Sequence, residues 1–450
     1  MKRLTGAAVA AAVMVSTAGT AAFAHDDAKG EIRPPSLEMQ QQELEGVVAS
    51  NANPDSNAPK SFAPCVNGMA AETYPCDGVD MLSHLSLDDL GLTFANDIWG
   101  WIDPETGREY ALVGGIEGTV FVDITDAKRP DVVGILPTHT VDPQYDVWRD
   151  IKVYADHAYV VAENTGHGMQ VFDLTRLRGV TGDPVTFTED FDYAEVSYSH
   201  NLNINEDTGY AYIVGSDTCG GGLHMVDLSD PEAPEFAGCF SDHGYVHDTQ
   251  CVVYEGPDGD HAGREVCFSS AATYVGPDFS PEAFVNTVSV VDVTEKSSPV
   301  PLDRLEYPDD GYSHQGWLTP DQEYFLHNDE LDEVFHGVST TTRIFDVRDL
   351  DAISLRATTD NGVDSIGHNL YTEGKRGYAS NYTSGLRIFD ISDVADGQMP
   401  EIGWFDLYPE NDNATFEGGT WSNYPYYKSR TVAVSSMDRG LFLLQPRGNR

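Results

Sequence analysis

The sequence predicts an all-β fold, a seven-bladed β-propeller closed by pairing an N-terminal strand with the last blade. Three observations predict it. A strand-like segment ending in an acid recurs as "GTVFVDIT" with Asp123, "MQVFDLT" with Asp173, "LHMVDLS" with Asp227, "VSVVDVT" with Asp292, "TRIFDVR" with Asp346 and "LRIFDIS" with Asp390. Successive acids stand 50, 54, 65, 54 and 44 residues apart, too far for a hairpin and the right length for one four-stranded sheet. Finally, the chain ends on "GLFLLQP" with no fourth strand after it, whereas "VDMLSHLSL" at residues 79–87 is a fourth strand with no blade before it. Stacked sheets must close into a ring or leave reactive edges, so these two ends are expected to pair. Residues 79–450 then supply about 53 positions per blade.

The elements follow in order. Residues 1–24, with Lys2 and Arg3, a short apolar stretch and small residues at Ala22 and Ala24, have the pattern of an export signal cleaved near Ala24. Residues 25–61 are rich in Gln, Asn, Asp, Glu and Pro and read as a flexible acidic and polar leader, with one short helix near "SLEMQQQELEGVV". Residues 62–78, "FAPCVNGMAAETYPCDG", read as a disulfide-tied loop leading to the closing strand. Each later unit runs through four strands, in the sixth "HNLYTEG", "RGYASNY", "SGLRIFDIS" and "EIGWFDLY", with Gly, Asp, Asn and Pro at the turns.

Six cysteines in an exported chain point to disulfides. Proximity suggests Cys65 with Cys76, Cys219 with Cys239 and Cys251 with Cys267, one choice among 15 connectivities. With 73 acidic and 26 basic residues the net charge is −47, which excludes nucleic acid and anionic membranes as partners, because phosphate binding needs clustered Lys and Arg. No run after the signal is long enough to span a bilayer, and "LFLLQPRGNR" carries no anchor. The mature protein is expected to be secreted or periplasmic, with an extracellular ligand or protein as its partner.

Aligning the units brings side chains together at the openings of the first strands: Asn96 and Asp97, Arg149 and Asp150, His200 and Asn201, His247 and Asp248, His314 and Gln315, His368 and Asn369, Trp421 and Ser422. Four consecutive blades thus place histidine at one equivalent position. First strands are innermost in a propeller, so these residues are expected at one rim of the central channel. The loop between second and third strands returns to the same rim and carries Glu163, Asn164, Asp217, Asn328, Asp329, Glu330 and Asn381. Imidazoles backed by carboxylates and amides are the donors of a divalent transition-metal site, with His200, His247, His314 and His368 as ligands and Asp242, Asp310 and Asp364 as acids orienting the rings. Repeated polar pairs at such positions also serve to bond one blade to the next. The acids ending the third strands resemble calcium ligands, yet as turn-holding side chains they need no ion. Trp99, Trp101, Trp317, Trp421, Tyr424, Tyr426 and Tyr427 are candidates either for packing between blades or for stacking on a sugar.

The acid-ended strands resemble LVIVD repeats, and the run "ANDIWGW", "WRDIKVY", "GMQVFDLTRLRG", "CGGGLHMVDLSDP", "HDTQCVVYEGPD", "YSHQGWLT", "NDELDE", "GHNLY" and "WSNYPYY" resembles the choice-of-anchor B family of exported bacterial proteins over about residues 62–450. The resemblance implies an extracytoplasmic β-propeller, often with a C-terminal surface anchor that this chain's ending does not show. It implies no particular activity. Without HExxH, GxSxG, GxGxxG or P-loop signatures, the chain reads first as a binding or scaffold module working through its polar rim and central channel. That rim comprises Asp97, Arg149, Asp150, Asn201, Asp248, Gln315, Asp329, Glu330, Asn369 and Trp421. The alternatives are a metal-dependent hydrolase or oxidoreductase built on the histidines, with Asp248 or Glu330 as base, and an extracellular glycan-binding adhesin.

Overall fold

The computed structural model describes residues 61–140, 147–276 and 280–448. The segments read from the sequence as an export signal (1–24) and a leader (25–61), apart from Ser61, lie outside the described residues. Seven sheets, each built on four antiparallel strands, succeed one another along the chain. Blade 1 is Ala95–Ile102, Glu109–Gly115, Gly118–Asp123 and Asp131–Pro137, and blade 2 is Arg149–Tyr154, His157–Ala162, Met169–Asp173 and Phe191–Tyr193. Blade 3 is Asn201–Asn205, Tyr210–Val214, Leu223–Asp227 and Glu235–Phe240, and blade 4 is Val246–Val253, Glu265–Tyr274, Phe284–Asp292 and Val300–Glu306. Blade 5 is Ser313–Leu318, Tyr324–Asp329, Thr341–Asp346 and Ser354–Asp360, and blade 6 is Gly367–Glu373, Arg376–Asn381, Gly385–Asp390 and Glu401–Phe405. Blade 7 is Thr420–Tyr424, Val432–Ser436 and Gly440–Pro446, completed by Val79–Leu85 from the N-terminal side.

The closing strand pairs antiparallel with the last one from Val79 opposite Pro446 to Leu85 opposite Leu441. It stops at Leu85 and not at Leu87, because Ser86 caps a short helical turn: its hydroxyl accepts from the Asp89 amide while the Asp89 carboxylate accepts from the Ser86 amide. Each first strand touches the first strands of the blades before and after it, so the seven form a closed ring about the axis.

Burial explains why the repeats read as they do. The third strand of blade 1, Gly118–Asp123, is buried along its whole length, whereas the outer strand Ser354–Asp360 of blade 5 is exposed at every second position. A strand covered by neighbouring blades on both faces is apolar throughout, and one at the outer edge alternates. The acid that ends each third strand holds the turn beyond it. Asp123, Asp173, Asp227, Asp292, Asp346 and Asp390 each accept from the backbone amide two residues on, at 2.8–3.1 Å, the geometry of an Asx turn.

All three expected disulfides form: Cys65–Cys76, Cys219–Cys239 and Cys251–Cys267. The first ties a hairpin, Met69–Ala70 with Tyr74–Asp77, that does more than lead into the closing strand. It adds to the outer strand of blade 6 through Cys76 opposite Phe405 and Asp77 opposite Trp404, making that sheet six-stranded. Val185–Thr186 likewise adds to blade 1 as a fifth, parallel strand.

Beside that hairpin, burial pushes Asp406 up to about 7, although its carboxylate accepts from the Tyr408 amide at 2.7 Å. Unfolded, the group titrates near 3.9. Folding therefore carries no penalty from Asp406 below about pH 4, a growing one up to pH 7 and the full one above it. Asp406→Asn is accordingly expected to raise the melting temperature at pH 8 and leave it unchanged at pH 4, a difference readable by circular dichroism.

Candidate functional site

The residues that open the first strands do converge at one mouth of the channel. In blades 4 and 5 the pairing with the second strand slips at His247 and His314 themselves, and in blades 6 and 7 across His368–Asn369 and at Trp421. Such a bulge re-aims its extra side chain. The result is a row of imidazoles with ring centroids 4.1 Å apart from His200 to His247, 4.1 Å from His247 to His314 and 4.2 Å from His314 to His368. Asp97, Trp148, Arg149, Asn201, Asn369 and Trp421 complete the lining. The space among them that is open to the centre of a water molecule is about 10 Å³, enough for one water-sized particle.

Hydrogen bonds set the roles of the rings. His247 donates from Nδ1 to the His314 carbonyl at 2.8 Å, and His368 from Nδ1 to the Trp421 carbonyl at 2.5 Å. Each thereby bonds its blade to the next and keeps Nε2 as the ring's lone-pair nitrogen. His200 Nδ1 pairs with Glu163 Oε2 at 2.6 Å. His314 differs: its Nδ1 is buried with no hydrogen-bond partner, and its Nε2 lies 3.7 Å from Glu330 Oε2. Glu330 Oε1 accepts from the Tyr382 hydroxyl at 2.7 Å, which orients the carboxylate. One donor atom each from His247, His314 and Glu330 lies within 4.8 Å of the other two, and all three residues are buried.

The electrostatics favour neutral rings. Burial, reinforced by neighbouring imidazoles, holds His247 and His314 well below the usual imidazole range, and burial takes His368 down to about 3. Burial acts on His200 in the same direction, but the hydrogen bond and charge of Glu163 outweigh it and raise that ring. Burial pushes Glu330 up to about 7, outweighing the Tyr382 hydrogen bond and the charge of His200, which act to lower it.

The second residue of each opening acts differently. Asp97 accepts from the Ile151 amide, Asp150 from Leu202, and Asn201 donates to the His247 carbonyl. Gln315 both donates to and accepts from the Leu370 backbone, and Asn369 donates to Ser422. These side chains bond consecutive blades. Lys152, which sequence reasoning missed, lies among the acids: its ammonium is 2.5 Å from Asp150 and 3.8 Å from Asp97. Its signal was present, because residues 150 and 152 share a face of one strand. Asp248 accepts from the Thr249 amide and is pushed up to about 7 by burial.

Not every expected rim residue faces the channel with a free group. Asp329 spends both oxygens on the backbone amides of Gly311, Tyr312, Leu331 and Asp332 and on the Tyr307 hydroxyl, so it organises a loop. Arg149 donates to the Gly115 carbonyl and lies 2.9 Å from His167. Asp242, Asp310 and Asp364 make no hydrogen bond to the four rings among the described residues. Glu163 and backbone carbonyls orient the rings instead, because blade-to-blade packing brings main chain closer to them than those loop acids. The aromatics also divide. Trp421 belongs to the histidine mouth. Trp101 is buried and donates to Asp156, and Tyr427 donates to the Tyr110 carbonyl across the junction of blades 7 and 1. Trp99, Trp317, Tyr424 and Tyr426 line the other mouth.

Fold and site together define a seven-bladed β-propeller carrying an arc of imidazoles at one end of its channel. No protein-family model matches the sequence, and no curated protein does. Among solved structures, U3-55K is similar with a TM-score of 0.50 at 10% identity, over 79% of this chain and 95% of its own. The β-propeller domain of Cps50 (Swd1) from Myceliophteria thermophila has a TM-score of 0.47 at 12% identity, over 75% and 94%. A functionally unknown protein from Desulfotomaculum acetoxidans has a TM-score of 0.45 at 14% identity, over 79% and 98%. At such identities the likeness is one of fold alone. Among the described residues, no helix is long and apolar enough to cross a membrane.

Proposed function

We propose that this chain is an exported propeller of the choice-of-anchor B type, a binding module whose channel mouth holds one divalent transition-metal ion through His247, His314 and Glu330. His200 and His368 flank those ligands. The observation that carries the reading is the convergence of one donor atom each from His247, His314 and Glu330, all buried, within 4.8 Å of one another. Two imidazoles and a carboxylate suit a first-row divalent ion, and the Tyr382 hydroxyl supplies the outer-shell contact that such sites use. A dication would also offset the burial of the Glu330 charge. Since His247 belongs to blade 4 and the other two ligands to blade 5, the ion ties neighbouring blades together.

Protein purified without a histidine tag is expected to carry roughly one equivalent of transition metal, and its metal-free form to melt higher when zinc is added. His314→Ala and Glu330→Gln should each abolish both effects. Elemental analysis and thermal denaturation check this. Retention of the metal by His314→Ala, or no melting response to zinc, manganese or copper, would sink the reading.

A further inference from the structure

The opposite mouth of the channel holds a larger cavity, about 570 Å³, within the range of small-molecule sites. Its walls come from the far ends of the first strands. Trp317 stands three residues beyond His314, about 10 Å along the strand, and Trp99 and Tyr424 occupy comparable places in Ala95–Ile102 and Thr420–Tyr424. Tyr371 forms a buried centre, with Trp99 and Trp317 set edge to face against it at 5.7 and 5.0 Å. Gly100 permits the arrangement, since a Cβ there would lie 2.2 Å from the Tyr424 ring. Trp317 and Tyr426 remain only partly buried. Packing between blades accounts for the covered aromatics and leaves these two with ring surface facing the cavity.

The polar part of the lining is specific. Gln250 Oε1 accepts from the Leu318 amide at 2.7 Å, which turns the amide so that its NH₂ group remains a donor. Thr372 donates its hydroxyl proton to the Leu318 carbonyl at 2.7 Å, leaving oxygen lone pairs as acceptors. Glu206 adds an exposed carboxylate, and the lining contains no Lys or Arg. Aromatic ring faces beside an amide donor and several oxygen acceptors match a ligand with apolar C–H faces and many hydroxyls, and the carboxylates repel acidic or phosphorylated ones. An organic cation fits less well, because Lys152 Nζ already covers Trp99 at 4.6 Å from the ring centroid.

We infer that this second mouth binds a neutral saccharide, one sugar ring lying on Trp317 and Tyr426 with its hydroxyls bonded to Gln250, Thr372 and Glu206. The inference is independent of the metal site. Titrating the full-length mature protein with maltose, cellobiose and diacetylchitobiose, followed by tryptophan fluorescence and calorimetry, should show saturable binding of at least one, with a dissociation constant of roughly 1 mM. Trp317→Ala and the exposed Glu206→Ala should each weaken it about tenfold or more. The melting temperature of Glu206→Ala should match that of the parent, and chelator should leave binding unchanged. No saturable binding to these sugars or to an array of neutral glycans would overturn the inference. So would unaltered affinity in both variants, or tetramethylammonium binding more tightly than any sugar.

Discussion

Deletion of residues 61–85 is expected to abolish cooperative unfolding altogether, leaving a chain that aggregates or populates no single folded state. The segment contributes the fourth strand of blade 7 and buries Val79, Met81, Leu82 and His84. Without it, Gly440–Pro446 becomes an open edge, and Leu441, Phe442, Leu443 and Leu444, all buried in the intact ring, lose their cover. An apolar open edge is a template for pairing with other chains. Polar ties go as well: His84 with the Arg439 carbonyl at 2.6 Å, Ser83 with the Ala127 carbonyl at 2.7 Å, and Asp80 with Arg447 at 2.5 Å. Because a folded domain is stable by only about 5–15 kcal/mol in total, the loss of a whole strand and the apolar cover it supplies exceeds that margin. Size-exclusion chromatography and a circular-dichroism melt give the answer, and a soluble monomer melting within a few degrees of the parent would refute the closure mechanism.

Arg343→Met should cost roughly 3–5 kcal/mol, the usual penalty for leaving a buried partner uncompensated. Arg343 is almost wholly buried; its guanidinium donates to Asp332 at 2.9 Å and to the Asp309 carbonyl at 2.5 Å and lies 4.8 Å from the centre of the Tyr307 ring. Removing the cation strands Asp332, beside the loop in which Asp329 gathers four backbone amides. A second change, Asp332→Asn, should recover part of the loss by discharging the abandoned partner. Urea denaturation of the two variants measures both effects, and equal stability of parent and Arg343→Met would contradict the assignment. The same loop leads out of Glu330, so metal uptake is expected to weaken in Arg343→Met together with stability.

The stretch "HNDELDE" shows how much of the site was legible. Its nearness to a rim follows from the repeat alone. Its division of labour does not: Glu330 joins the imidazoles, Asp329 holds the loop, and Asp332 pairs with Arg343. Adjacent residues look alike as text, and only the path of the backbone assigns each to a side. The histidines are similar. Their equivalence was readable from the alignment of the blades, but the bulges that turn His247 and His314 toward one another were not.

What the sequence determined by itself is the architecture. The apolar third strands, the acids that hold the turns after them, the spacing of the units and the unmatched strands at the two ends are local patterns, each enforced by the cost of exposing apolar surface or leaving backbone groups unpaired. Tertiary structure alone decided which side chains meet. It placed 69–77 on blade 6, more than 300 residues away in the chain, put Lys152 among the channel acids, and sorted the aromatics between buried contacts and two mouths. Those outcomes depend on the tilt of each strand and the slip of its pairing, and such quantities are set by neighbouring blades and leave no mark in a strand's own alternation of polar and apolar residues.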